Sequence, residues 1–249
     1  MKPEEYDFMY QLEESFWWYV AMRRITDAIL ESQLRSDRLT ILDAGCGTGI
    51  NLAHFASRGS HKVFGLDLSA AAIKFVRARG FRTMSQASIA EIPFAAGSFD
   101  LVLSFDVLCQ IPAPLVSAGL CEIQRVLKPG GCVFVRVPAF DWMRSSHDDA
   151  VQSVHRFTKA EMTEAMRKAG LQVEWISYAN FFLFPAVVLR RLLKAVGIGK
   201  GSDVRPLPGA ISWIDPIFRR VLESEAAAFR SGIRFPWGLS VVCLARKPQ

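Results

Sequence analysis

Apolar positions recur at helical spacing along residues 8–35, which predicts one or two leading helices. From residue 38 onward the pattern changes to short apolar runs separated by amphipathic stretches. RLTILDA (38–44) fits a buried strand, and INLAHFASRG (50–59) a helix stopped by Gly59. KVFGLDLS (62–69) predicts a second strand, with Ser69 as N-cap of a helix over 70–79 that ends at Gly80. FRTMSQ (81–86) reads as a third strand, and FDLVLSF (99–105), almost wholly apolar, as a fourth covered on both faces. A helix is expected over 114–127, stopped by KPGG at 128–131, and then a fifth strand, CVFVRVP (132–138). After an irregular stretch to about 157, TKAEMTEAMRKAG (158–170) opens with Thr158 and, three residues on, Glu161, the pattern of a capping box. LQVEWISY (171–178) and LSVVCLAR (239–246) are the last two strands.

Strands alternating with helices build an α/β domain with a mostly parallel sheet and right-handed crossovers. Such sheets bind ligands at the carboxyl ends of strands, where the strand order reverses. Residues 179–238 break the alternation: they are rich in aromatics and hold four prolines ahead of Pro236. The chain is therefore read as one domain over 1–249, with an N-terminal helical cap (1–37), a ligand-binding core (38–178 and 239–249) and a helical insertion or lid (179–238).

Composition narrows the classes. With 249 residues and 51% hydrophobic content the chain can bury one large core. The net charge of +6 is scattered, and the pairs Arg23-Arg24, Arg190-Arg191 and Arg219-Arg220 read as solvated helix faces rather than a phosphate-binding stripe. The five cysteines form no C-x-x-C pair and fit a reducing compartment, hence an expected cytoplasmic location. The N-terminus has no signal-peptide pattern. Residues 181–193, the greasiest stretch, contain Pro185, Arg190 and Arg191 and are too short and charged to span a bilayer, which leaves only peripheral membrane contact open.

The chemistry concentrates at LDAGCGTG (42–49). A dinucleotide loop, G-x-G-x-x-G, would need a glycine where Ile50 stands, and no Gly-Lys-Ser/Thr follows as a phosphate loop requires. What stands here is D-x-G-x-G-x-G. Asp43 would repel a pyrophosphate but attract a cation, while Gly45, Gly47 and Gly49 let backbone approach a ligand closely. The ligand should be nucleoside-like, cationic and free of phosphate, a description that S-adenosylmethionine meets with its sulfonium and α-ammonium. Asp67 ends the next strand, where an acid accepts both ribose hydroxyls.

LDAGCGTG, GLDLS, IPFAAGSFDLVLSFDVL and EIQRVLKPGG follow one another in the order found in class I S-adenosylmethionine-dependent methyltransferases of the type 11 kind, which the chain resembles over residues 40–138. The resemblance implies a Rossmann-like three-layer α/β sandwich whose sheet has seven strands, mostly parallel, the last antiparallel. It implies S-adenosylmethionine as cofactor and S-adenosylhomocysteine as product. It places Asp43, Gly45, Cys46, Gly47 and Gly49 at the methionine part, Asp67 at the ribose and Leu68 beside the adenine. Ser88 and Ile89 would line the adenine, and Ser104 and Phe105 would close the site. Position 88 is often acidic in the family, and a serine hydrogen-bonds more weakly than a carboxylate.

Methyl transfer from a sulfonium is an in-line displacement, so the protein aligns the nucleophile and, where needed, removes its proton; no metal is required and no metal cluster is expected. In many relatives the motif after the fourth strand ends in a histidine; here Gln110 replaces it and cannot take a proton at neutral pH. Base candidates are His147 and His155, with Asp148 to orient one of them, although His155-Arg156 equally fits a role in tying down the loop. EESFWWYVAMRR, H-D…H-R, YANFFLFP and PWGLS resemble a subgroup often encoded among genes for surface polysaccharide or secondary metabolites. That likeness implies a leading helix folding Trp18 and its neighbours over the cofactor mouth, against the plainer reading that these aromatics dock the helix on the sheet. Tyr178 and Asn180 border the substrate pocket or serve as polar core. The expected acceptor is a small, fairly apolar molecule methylated at oxygen or nitrogen. A non-catalytic binding module on the same fold and a nucleic-acid methyltransferase are the competing readings, the latter weaker for want of a dense basic tract. A monomer and a homodimer both remain open.

Overall fold

The structure, a computed structural model, describes residues 3–36, 38–195 and 215–249. The leading amphipathic run is two helices, α1 (Pro3–Leu12), which starts earlier than the pattern predicts, and α2 (Trp17–Ile29). The core follows as β1 (Thr40–Ala44), α3 (Ile50–Ala56), β2 (Lys62–Asp67), α4 (Ala70–Ala78), β3 (Met84–Gln86), β4 (Phe99–Phe105), α5 (Ala113–Val126) and β5 (Leu127–Pro138). The short α6 (Ser146–Ala150), then α7 (Lys159–Lys168) and β6 (Gln172–Ala179), precede the insertion helices α8 (Phe184–Ala195) and α9 (Asp215–Arg230), and β7 (Ser240–Arg246) closes the chain. Ser69 caps α4 through the Ala71 N–H, and Thr158 and Glu161 form the capping box that opens α7.

The strands form one seven-stranded sheet in the order β3-β2-β1-β4-β5-β7-β6. β7 runs antiparallel to both β5 and β6, and the other pairings are parallel. β3 is shorter than its apolar pattern predicts, because this edge strand pairs only from Met84 to Gln86. β5 is longer. It takes in KPGG, which the sequence marks as a turn, through a shift of register between Phe99↔Leu127 and Leu101↔Cys132. A Cβ at Gly131 would lie 2.9–3.2 Å from three backbone oxygens, so this irregular crossing is open to glycine alone.

Alternation along β4 supplies both cores. Val102 faces α5 and α7, where Leu120, Ile123 and Met162 are buried; Leu101 and Leu103 join the other cluster with Ile25, Leu52, Leu222 and Phe229. That second cluster joins α2, α3 and α9 on one face, and α2 packs directly on α9. Helix α1 contacts α4, above the carboxyl ends of the strands. The strand order reverses between β1 and β4, and the loops that follow them diverge there. Among the described residues no helix is long and apolar enough to cross a membrane.

Candidate active site

The loop after β1 is held by two hydrogen bonds, from the Gly45 and Cys46 N–H groups to the Leu66 carbonyl at 2.7 and 2.9 Å. Gly45 (φ +95°) and Gly49 (φ +83°) adopt left-handed backbone, and a Cβ on Gly45 would stand 2.1 Å from Val107 Cγ2. Glycine is thus required for both conformation and space.

Asp43, near the end of β1, is 1% exposed, and among the described residues neither carboxylate oxygen has a hydrogen-bond partner. Burial, and then the neighbouring charge of Asp67, pushes its pKa up to about 7, with Arg136 and the Asn51 side chain acting the other way. A buried carboxylate without partners costs several kcal/mol in general, about 2 or more even for a neutral polar group. Retaining one beneath a glycine loop fits a ligand that brings positive charge. The acid at the end of β2 is better supplied. Asp67 accepts the Gly47 and Ser69 N–H groups at 2.9 Å each; burial raises its pKa, while these two donors and the Tyr6 hydroxyl act to lower it.

Helix α1 covers this corner. The Tyr6 hydroxyl reaches toward Asp67, and its own acidity is weakened to about 12, by burial first and then by that carboxylate. At the turn after α1, Glu13 is 1% exposed and accepts from Thr48 Oγ1 at 2.5 Å and from Arg79 at 2.8 Å. Burial raises the pKa of Glu13, and the Thr48 and Arg79 hydrogen bonds oppose the rise. Arg79 also donates to the Thr48 carbonyl at 3.1 Å and lies over the Tyr10 ring at 4.5 Å. The glycine loop is therefore clamped from above by three side chains that sequence reading did not single out.

Loop and helices enclose a cavity of about 1250 Å³. Gly45, Cys46, Gly47, Asp67, Leu68, Ser88 and Ile89 line it, as do Trp18, Phe105, Gln110 and Asn180. Asp43 and Gly49 lie outside its wall, in the layer supporting the loop. Ser104 is also outside it, fully buried in β4, its hydroxyl without a partner among the described residues. Tyr178 is drawn into structure: its hydroxyl accepts the Lys159 N–H at 3.3 Å and its ring stacks on Phe140 at 4.8 Å.

Among the described side chains no histidine lines the cavity. His155 is outside the wall, with Nδ1 3.1 Å from Asp141 and its ring edge-on to Phe157 at 4.6 Å. His147 falls in α6, and its side chain lies outside the described residues. Asp148 receives the Arg156 Nε and Nη2 donors at 2.8 and 2.9 Å, both side chains being buried. The third Arg156 nitrogen donates to the Ala139 carbonyl at 3.1 Å, so the pair fixes the loop after β5.

Two further groups emerge from the structure. Arg136, the one charged residue in the apolar run CVFVRVP, donates to Asp106 Oδ2 from Nε and Nη2 at 3.0 and 2.5 Å and lies against the Trp18 and Phe105 rings. Asp106 has left-handed backbone (φ +57°), and its carbonyl accepts from Gln110 Nε2 at 2.9 Å. Asn180 (φ +61°) is held by Glu225 of α9, which accepts the Asn180 and Phe181 N–H groups at 2.6 and 2.9 Å. Burial pushes Glu225 up to about 7, against the pull of backbone N–H groups of residues 180–182. Among the described residues the Asn180 carboxamide oxygen has no partner. Among the described residues no group of His, Cys, Asp and Glu is arranged to hold a metal.

With this geometry in view, the family described as a methyltransferase domain matches residues 42–135. A probable S-adenosylmethionine-dependent methyltransferase from Mycolicibacterium smegmatis is 32% identical over 167 residues, which are 65% of this chain and 62% of the relative, so the chain spans less than two thirds of that relative's length. The trans-aconitate 2-methyltransferase of Deinococcus radiodurans is 34% identical over 207 residues, 76% of this chain and 74% of the relative. Among solved structures, a putative methyltransferase in complex with a methyltransferase activator from Haloferax volcanii shares the fold, with a TM-score of 0.62 at 21% identity over 99% of this chain and 94% of the other.

Proposed function

We propose that this chain, which belongs to the class I S-adenosylmethionine-dependent methyltransferase family, transfers a methyl group from that cofactor to a small, largely apolar molecule. The observation that carries the reading is the buried, unpartnered carboxylate of Asp43 under a glycine loop, with Asp67 at the end of the adjacent strand. When bound, the cofactor supplies a methyl already activated on a sulfonium; the protein contributes position and exclusion of water.

In this reading Asp43 offsets the cofactor's positive charge across the loop of Gly45, Cys46, Gly47 and Gly49. Asp67 takes the ribose hydroxyls, and Leu68, Ser88 and Ile89 border the adenine. Trp18, Phe105, Gln110 and Asn180 face the acceptor. The cavity volume of about 1250 Å³ exceeds what one cofactor fills and leaves room for an acceptor beside it. The predominantly aromatic and aliphatic side chains of the wall away from the loop support an apolar acceptor. The trans-aconitate methyltransferase relative is named for a small acceptor, which supports a small molecule over a nucleic acid.

Calorimetry with S-adenosylhomocysteine tests the cofactor site: the wild type binds it, and Asp67→Ala lowers the affinity about 100-fold, the scale of lost charge-assisted hydrogen bonds. Incubation of the protein with methyl-labelled S-adenosylmethionine and a metabolite extract tests the reaction. Label that stays on the cofactor with every extract, or undiminished binding by Asp67→Ala, refutes the assignment.

A further inference from the structure

We infer that the methyl acceptor is an apolar carboxylate, seated on Arg136 and converted to its methyl ester; the inference rests on the methyltransferase reading above. Arg136 stands near the carboxyl end of β5 with its side chain 12% exposed and lines the cavity. Its guanidinium carbon is 5.3 Å from the centre of the Trp18 ring and 5.1 Å from that of Phe105. Nε and Nη2 donate to one oxygen of Asp106, and the Asp106 N–H donates to the Arg136 carbonyl at 2.8 Å, so side chain and main chain both fix the arginine. Nη1 has no partner among the described residues. A planar guanidinium braced along one edge by a carboxylate and set against two aromatic rings keeps its other edge for a second planar anion.

Charge and chemistry favour the same class. The cofactor brings a sulfonium, so an acceptor carrying an ammonium would meet two like charges in one cavity, whereas an anion is drawn to both. Methylating an alcohol liberates a proton and calls for a base whose pKa lies near the working pH. The described cavity wall has no imidazole; its tyrosines, Tyr6 and Tyr19, are both made weaker acids by burial, and among its carboxylates Glu13, Asp67, Asp106 and Asp148 are engaged by Arg79, by the Gly47 and Ser69 N–H groups, by Arg136 and by Arg156 respectively. A carboxylate needs no such help. One of its oxygens supplies the lone pair, the O–CH₃ bond forms as the S–CH₃ bond breaks, the bonding electrons pass to sulfur, and no proton moves. Phe16, Ile111, Val151, Leu183, Val187 and Phe218 furnish the apolar surroundings for the rest of the molecule.

A matched set of probes with one apolar body tests this: 4-phenylbutanoate, 4-phenylbutanol and 4-phenylbutylamine, titrated into the full chain saturated with S-adenosylhomocysteine. Trp17 and Trp18 line the cavity, so quenching of their emission reports binding. The carboxylate is expected to bind about 10- to 100-fold more tightly than the alcohol or the amine, as a hydrogen bond to a charged group provides. Arg136→Met should erase that preference, while Arg136→Lys, which keeps the charge and loses the planar fork, should retain part of it. With methyl-labelled cofactor, the carboxylate product should release its label as methanol in mild alkali. Equal or reversed preference, a preference that survives in Arg136→Met, or alkali-stable label on the alcohol or amine overturns the inference. So does an Arg136→Met variant that weakens S-adenosylhomocysteine as much as the probe, because Arg136 then serves the cofactor. Failure of the wild type to bind S-adenosylhomocysteine at all is a distinct outcome and defeats the underlying methyltransferase reading instead.

Discussion

Replacing Asp43 with asparagine should make the cofactor-free protein more stable in alkaline solution while destroying its ligand site. In the fold the Asp43 carboxyl titrates near pH 7 because burial penalises its charge, against an ordinary value of 3.8. A raised folded-state pKa means that the folded chain binds the proton more tightly than the unfolded chain. Its stabilising contribution is thus complete below about pH 4 and is lost as pH rises through 7. The separation of about three pK units, at 1.36 kcal/mol each, sets the burden of the ionised form on the order of 4 kcal/mol. The substituted amide cannot ionise, so between pH 4 and pH 7 the wild type should lose stability relative to Asp43→Asn by up to about 1.4 kcal/mol per pH unit. Urea unfolding of both proteins from pH 4 to 8.5, in the absence of cofactor, gives the difference directly. Any fixed cost of burying the amide displaces both ends of the curve alike, so the slope is diagnostic. A difference that stays flat across this range would show that Asp43 is not held at the expense of its charge, and the electrostatic case for the cofactor site would fall with it.

Other expectations follow from the same geometry. Gly45→Ala sets a methyl group against Val107 on backbone that disfavours any side chain, and should lower stability by about 1–3 kcal/mol and abolish S-adenosylhomocysteine binding, read by melting and calorimetry. Glu225→Ala orphans the buried N–H groups of Asn180 and Phe181 and should cost roughly 3 kcal/mol, a fall in melting temperature of about 6–12 °C; a smaller shift than 2 °C would show that the carboxylate is not their support. His155→Ala, at a side chain outside the cavity wall, should leave turnover of an identified acceptor within about threefold of wild type, and a loss of 100-fold would return that histidine to the chemistry.

The local parts of this molecule were legible in its sequence and the long-range parts were not. β4 stands where its apolar run predicts, from Phe99 to Phe105, because a strand buried on both faces reads as a nearly continuous apolar run, broken here only by Asp100 and Ser104. Asp43, the glycine loop and Asp67 could be read together because β1 and β2 are successive parallel strands whose ends lie side by side. KPGG misled because paired glycines usually mark a turn, whereas here the crowding of backbone oxygens about Gly131 makes them part of a strand. The groups that were missed depend on partners far along the chain: Glu13 on Thr48 at a separation of 35, Arg136 on Asp106 at 30, Glu225 on Asn180 at 45. Only Arg136 left a trace, as a lone charge in an otherwise apolar strand. Histidines drew notice for their chemistry, but His155 sits against Asp141, in keeping with the other role open to it, that of a loop anchor.

The packing of α2 on α9 has a consequence for how the protein is made. Synthesis releases the chain from its N-terminus, so α2 leaves the ribosome with Ala21, Met22 and Ile25 already committed to a surface that is not yet there. The surface arrives some two hundred residues later with Leu222, Ala226 and Phe229, and β7 must then slip between β5 and β6, which have had time to meet each other first. A nascent chain halted before α9 would therefore display a sticky helix and an unfilled gap in its sheet, the state in which a chaperone would find it.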